Sequence, residues 1–138
     1  MTEKEIQELR RQYTKSTLSV KNVSKDPFKQ FEKWFAEVIN SGFLEPNAMT
    51  VATATRQGRP SARVVLLKGF DDRGFVFYTN YKSKKGKELE ENPFACLLFF
   101  WDKLERQVRI EGKVEKVSEQ ESTDYFNTRP YKSRVGAW

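Results

Sequence analysis

The segment Ser83-Lys84-Lys85-Gly86-Lys87 runs directly into Glu88-Leu89-Glu90-Glu91. Read as one helix, it carries cations at its N-terminal end and carboxylates at its C-terminal end, against the helix dipole at both. An anion at the N-terminus would compensate. Free backbone N–H groups, the Ser83 hydroxyl and the ammonium groups of Lys84 and Lys85 would converge on a phosphate. The plainer reading is a solvated basic turn. Upstream, Arg63-Val64-Val65-Leu66-Leu67-Lys68 brackets an apolar strand with cations. The odd spacing places Arg63 and Lys68 on opposite faces of a regular strand, so their joint action on one ligand requires a bulge, a twist or a ligand that wraps an edge. Alternatively the two cations only mark the strand ends. Downstream, Tyr125 and Arg129 stand at i and i+4 of a predicted helix, and Ser133 follows the Pro130 break. A phenol, a guanidinium and a hydroxyl so arranged can cradle a second phosphate or simply pack on a surface. Lys132 and Arg134 add to the local positive field.

Composition narrows the chemistry. The chain contains no histidine and one cysteine, Cys96. That excludes a Ser-His-Asp triad, a Cys-His pair and a zinc site of the usual His/Cys composition, so an enzyme built this way leaves the chemistry to a cofactor. Cys96 lies in the apolar run Phe94-Ala95-Cys96-Leu97-Leu98-Phe99-Phe100-Trp101 and reads as a buried, inert thiol. With 25 Lys+Arg against 19 Asp+Glu the formal charge is +6, which favours an anionic partner without naming it. No apolar signal core opens the chain and no apolar run is long enough to span a bilayer, so the expectation is a soluble, cytoplasmic protein without a membrane partner.

The elements that must position these groups follow from periodicity. Thr2-Glu3-Lys4-Glu5 is a capping box that opens a short polar helix to about Tyr13, and 14–25 lack sustained periodicity. Residues 1–25 are expected to form a mobile arm, and 26–138 one domain. Asp26 as N-cap and Pro27 at the first helical position start a helix whose Phe28, Phe31, Phe35, Val38 and Ile39 share a face before Gly42, a face suited to covering a sheet. Strands are predicted over 49–55, 61–68 and 75–79, an antiparallel meander, and then over 94–101 and 105–117. The helix discussed above, over 83–91, interrupts them. A second capping box, Ser118-Glu119-Gln120-Glu121, opens a helix that Pro130 terminates or kinks. The expected class is mainly β (α+β), an antiparallel Greek-key barrel or sandwich with peripheral helices.

Taken together, Arg63-Val64-Val65-Leu66-Leu67-Lys68, Phe77-Tyr78-Thr79-Asn80-Tyr81 with Ser83-Lys84-Lys85, Arg106-Gln107-Val108-Arg109-Ile110-Glu111-Gly112, Tyr125-Phe126-Asn127-Thr128-Arg129-Pro130 through Ser133, and Gly136-Ala137-Trp138 resemble the pyridoxamine 5'-phosphate oxidases in order and spacing. The resemblance covers about 26–138. It implies an FMN-binding split β-barrel, with two active sites at a homodimer interface. FMN would be held by Arg63, Val64, Val65, Leu66, Leu67, Lys68, Tyr78, Thr79, Lys84, Lys85 and Gln107, and its phosphate would be the anion at the Ser83 helix. The substrate phosphate would be gripped by Lys68, Tyr125, Arg129 and Ser133, so Arg63 and Lys68 would serve neighbouring anion sites. The implied reaction oxidises pyridoxamine or pyridoxine 5'-phosphate to pyridoxal 5'-phosphate, passing a hydride equivalent to FMN, which O2 reoxidises with release of hydrogen peroxide. No catalytic side chain is identified, because the flavin carries the chemistry.

Two departures from the family stand out. Lys84 occupies a position where the family commonly has Arg, which keeps the charge but loses bidentate phosphate geometry. The family also continues past the Gly-Ala-Trp segment with a Gln-Ser pair, a Trp, the final barrel strands and an Arg-x-His motif. The expectation is therefore a chain that stops short of a complete site, binds FMN and has little oxidase activity, with strand edges and apolar surface left uncovered. Two other readings compete. One is a different FMN split-barrel protein such as a flavin reductase, against which Tyr125, Arg129 and Ser133 argue. The other is a non-enzymatic anion or RNA binder, suggested by the charge and by Arg73-Gly74-Phe75-Val76-Phe77-Tyr78, although Val76 and Asn80 depart from the RNA-stacking pattern and a nucleic-acid partner is not expected.

Overall fold

The structure, a computed structural model, describes residues 1–15, 17–80 and 82–118. The expected helix after Ser118, with Tyr125, Arg129 and Ser133, lies outside the described residues. The described residues divide into two compact units, Met1–Leu44 with Trp101–Arg106, and Glu45–Phe100 with 107–118.

In the first unit, Thr2 caps α1 (Glu3–Gln7), its hydroxyl accepting from the Glu5 N–H while the Glu5 carboxylate accepts from the Thr2 N–H. The helix ends well before Tyr13. Ile6, Leu9 and Tyr13 are all exposed, and a helix without a packed face is marginal at this length. The Arg11 guanidinium and the N–H groups of Thr14 and Lys15 converge on the Glu105 carboxylate at 3.2, 2.9 and 3.1 Å. α2 (Pro27–Ile39) starts as the sequence predicts, with Asp26 accepting from the Phe28 N–H at 2.9 Å and Pro27 in the first turn, where no N–H is needed. Its face buries Phe31 and Val38, whereas Ile39, at the helix end, is exposed. The Phe31 and Phe35 rings stack at 5.5 Å, and Trp101 lies 5.9 and 6.5 Å from them. Arg106 pairs with Glu37 and lies 4.6 Å over the Trp34 ring.

The second unit is built from strands β1 (Ala48–Ala54), β2 (Pro60–Leu66), β3 (Gly69–Asp71) and β4 (Gly74–Val76), helix α3 (Lys84–Glu91), and strands β5 (Phe94–Trp101) and β6 (Arg106–Lys113), of which the last two also reach into the first unit. β1 and β2 form an antiparallel hairpin in which Val51 faces Arg63 and Thr53 faces Ser61. Gly58, at φ +87°, makes the turn between them. The sheet order is β2-β1-β5-β6, and β3 and β4 pair separately. The predicted meander over 49–79 is therefore corrected. β3 and β4 are too short to extend the sheet, while β5 supplies eight apolar residues along the other edge of β1. Strand alternation buries Met49, Val51 and Thr53 of β1 and Leu97 and Phe99 of β5 on one face. Each large apolar side chain buried this way contributes about 1.5–3 kcal/mol. The opposite face leaves Val64, Phe94 and Phe100 exposed.

Candidate anion and cofactor site

The candidate site grows from the start of α3. Ser83 caps that helix, its hydroxyl accepting from the Gly86 N–H at 3.1 Å and donating to the Asn80 carbonyl at 2.7 Å. Its hydroxyl is thus engaged in holding the helix end. The N–H groups of Lys84 and Lys85 remain as the first-turn donors that a helix cannot satisfy internally. Lys85 turns back along the chain and its ammonium donates to the Thr79 hydroxyl. Burial, and then the Arg63 guanidinium nearby, hold the Lys85 ammonium below its ordinary value of 10.5. Two cations from separate elements, β2 and α3, therefore face one region.

Arg63 reaches that region from the face of β2 it shares with Ser61 and Val65. Its Nη1 donates to the Thr53 hydroxyl at 3.0 Å and more weakly to the Val51 carbonyl at 3.4 Å. Beneath these groups lies Glu88, only 4% exposed. Its two carboxylate oxygens accept separately from the hydroxyls of Thr53 and, at 3.0 Å, of Ser61, and Lys84 Nζ lies 4.0 Å away. The Thr53 hydrogen bond first, then that of Ser61 and the charges of Lys84 and Arg63, hold the Glu88 carboxyl below its ordinary 4.5 despite the opposing effect of burial. The sequence alone gives Thr53 and Ser61 no part in a site and Glu88 none beyond its charge. Glu88 looks there like one more acid in the wrong half of a helix, and its hydroxyl partners come from strands 27 and 35 residues away in sequence.

The charge mismatch of α3 is met from outside at its C-terminal end. Arg56, in the turn after β1, donates to the Glu91 carbonyl at 3.3 Å, which supplies the cation that the last turn lacks. A cleft of about 340 Å³ lined by Thr55, Lys84, Lys87, Glu88 and Glu91 shares Lys84 and Glu88 with these groups and carries both signs of charge.

The other sequence-predicted residues are placed as follows. Val64, Val65 and Leu66 complete β2, and Val64 points to the exposed face. β2 stops at Leu66, so the parity argument that separates Arg63 from Lys68 does not apply. Leu67 is buried, its N–H and carbonyl both clamped by Asn47 at 2.8 Å, and the exposed Lys68 is tied through its N–H to the Val76 carbonyl at 2.8 Å. Tyr78 and Thr79 lie past β4 rather than in the longer strand predicted over 75–79, in the irregular segment that delivers the chain to α3. Gln107 is exposed on β6. Three inter-strand spacings, roughly 14 Å, separate β6 from β2, so within one chain Gln107 and Arg63 sit at opposite edges of the sheet. Cys96 is half-buried, and burial raises its thiol above the ordinary 9.0, consistent with an inert thiol. Among the described residues no cluster of His, Cys, Asp or Glu could hold a metal ion, and no helix is long and apolar enough to cross a membrane.

Phosphate is the ligand chemistry that suits a helix N-terminus flanked by Arg63, Lys84 and Lys85. The comparisons with known proteins bear on the family and the fold. Among curated relatives, the pyridoxine/pyridoxamine 5'-phosphate oxidase of Gloeothece citriformis is 59% identical over 133 residues, which is 96% of this chain and 62% of the relative. The chain thus spans less than two thirds of that relative's length. Among solved structures, PhzG from Burkholderia lata 383, in complex with tetrahydrophenazine-1-carboxylic acid, superposes with a TM-score of 0.77 at 32% identity, over 83% of this chain and 57% of that one. A pyridoxamine 5'-phosphate oxidase-related, FMN binding protein from Nostoc punctiforme superposes with a TM-score of 0.65 at 18% identity, over 83% of this chain and 64% of that one, a likeness of fold. The profile described as "Pyridoxamine 5'-phosphate oxidase" matches residues 35–138, and with these relatives it shows that the chain belongs to the pyridoxamine 5'-phosphate oxidase family and carries its split-barrel fold.

Proposed function

We propose that this chain binds FMN and serves the oxidation of pyridoxamine or pyridoxine 5'-phosphate to pyridoxal 5'-phosphate, with O2 as acceptor and hydrogen peroxide as product. The observation that carries this reading is the convergence of Arg63 and Lys85 beside the N-terminus of α3, in a chain of this family. Arg63, Lys84, Lys85 and the first-turn N–H groups hold the FMN phosphate, and Thr79 orients the Lys85 ammonium toward it. The backbone from Arg63 to Lys68, with Tyr78, Thr79 and Gln107, borders the flavin, and Ser83 serves by capping the helix. Bound flavin supplies the two-electron chemistry, and the protein's part is position and charge. Lys68, Tyr125, Arg129 and Ser133 grip the substrate phosphate. The exposed Val64, Phe94 and Phe100 support a homodimer, the arrangement in which a partner's β6 can bring its Gln107 to the site. Residues 26–138 act as the FMN-binding domain, with 1–25 as an arm.

Titrating the purified chain with FMN and following flavin fluorescence tests the cofactor. Binding in the micromolar range or tighter, with riboflavin much weaker, is the expected result, and no binding would end the reading. Peroxide release in the presence of pyridoxine 5'-phosphate tests the substrate. FMN binding together with NADH oxidation that ignores the vitamer would replace the oxidase reading with a flavin reductase.

A further inference from the structure

Glu88 is a buried carboxylate directly beneath the cations of a site that would take an anion. A carboxylate held below its ordinary pKa carries no proton, so each of its hydrogen bonds must come from a donor. The hydroxyl of Thr53, itself 3% exposed, has one proton to give, and the short contact to Glu88 takes it. The Thr53 oxygen is then left with lone pairs, and Arg63, which can only donate, meets one of them at 3.0 Å. The direction of the whole chain, Arg63 to Thr53 to Glu88, is thus dictated by the carboxylate. Reversing the Thr53 hydroxyl would set a proton against the guanidinium. Ser61 fixes the other carboxylate oxygen at 3.0 Å, so Glu88 cannot rotate out of this role without losing a second bond. Lys84, at 4.0 Å, is drawn to the same carboxylate along one turn of α3.

We infer that Glu88 is a positioning residue for the anion site, orienting the Arg63 guanidinium through the Thr53 hydroxyl. The inference rests on the reading of that site as the FMN phosphate site. It assigns to an acid a role in anion binding, because an arginine seated by a relay loses less freedom when a phosphate arrives than one that must first be ordered.

The test uses the full 138-residue chain with two readouts, FMN affinity by flavin fluorescence and the rotation of the Arg63 guanidinium by ¹⁵N NMR, which requires no ligand. Thr53→Val keeps the side-chain shape and charge but removes the hydroxyl. The expected result is FMN binding weaker by about tenfold, riboflavin binding unchanged and a guanidinium that rotates freely. Thr53→Ser should restore both readouts. Glu88→Ala should match Thr53→Val, and the double variant should be no worse than the poorer single one, since both break one relay. If Glu88→Ala does not fold, the two Thr53 variants still decide. Unchanged affinity and restrained rotation in Thr53→Val would overturn the inference, as would a Thr53→Ser chain that behaves like Thr53→Val. A chain that binds no FMN but shows the restrained guanidinium, released in Thr53→Val, would count against the cofactor reading and for the relay.

Discussion

Glu88 ties its protonation to the fold. Its carboxyl is held below 4.5 by hydroxyls from β1 and β2 and by the charges of Lys84 and Arg63, so the folded state binds its proton less readily than the unfolded chain does. The stability it contributes is fully present above its unfolded value and is lost as pH falls through its lower folded value. Glu88→Gln, which cannot ionise, should therefore melt below the unmodified chain at pH 7. That gap should narrow as pH drops below 4.5, and a gap that holds constant down to pH 3 would show that the ionised form is not what is stabilised. At this scale the sequence was informative about cations and silent about their counter-charge. Ser83, Lys84 and Lys85 are neighbours in the chain, so their convergence is a local property of one helix end. Glu88 meets Thr53 and Ser61 only because β1 and β2 pair in a register that sets those two hydroxyls opposite each other.

Each helix depends on something different. α3 has a polar first turn and draws its support from outside itself, from the Glu88 contacts with β1 and β2 and from Arg56 at its last turn. α2 is held by rings. Phe31 is 4% exposed and packs on both Phe35 and Trp101, so truncating it opens a cavity in the aromatic cluster of its unit. Phe31→Ala is expected to cost about 3–5 kcal/mol in denaturant unfolding, and a loss under 1 kcal/mol would show that the cluster is not a core. Asp26 and Pro27 mark the start of α2 in the sequence because capping is local chemistry. The end of α1 is not marked in the same way. The capping box is present, but what stops the helix at Gln7 is the lack of anything for Leu9 and Tyr13 to pack against.

Charge acts over the whole molecule. With a formal charge of +6 and three cations at one helix end, FMN should associate with a salt dependence that riboflavin lacks. Raising NaCl from 20 to 500 mM is expected to weaken FMN binding several-fold and leave riboflavin binding nearly constant. Equal salt responses for the two flavins would place the phosphate away from these cations. By itself the sequence determined the elements whose signals are local, namely the cap of α2, the apolar alternation of β5 and the cation-rich start of α3, together with the family pattern that spans them. Tertiary structure decided which strands meet. β5 borders β1, β3 and β4 pair apart from that sheet instead of extending a meander beyond β2, β2 ends before Lys68, and the buried acid beneath the cations is Glu88. The physical reason is that strand pairing and burial depend on contacts between residues far apart in the chain, which no local spacing encodes, whereas caps, periodicity and helix-end charge are settled within a few residues.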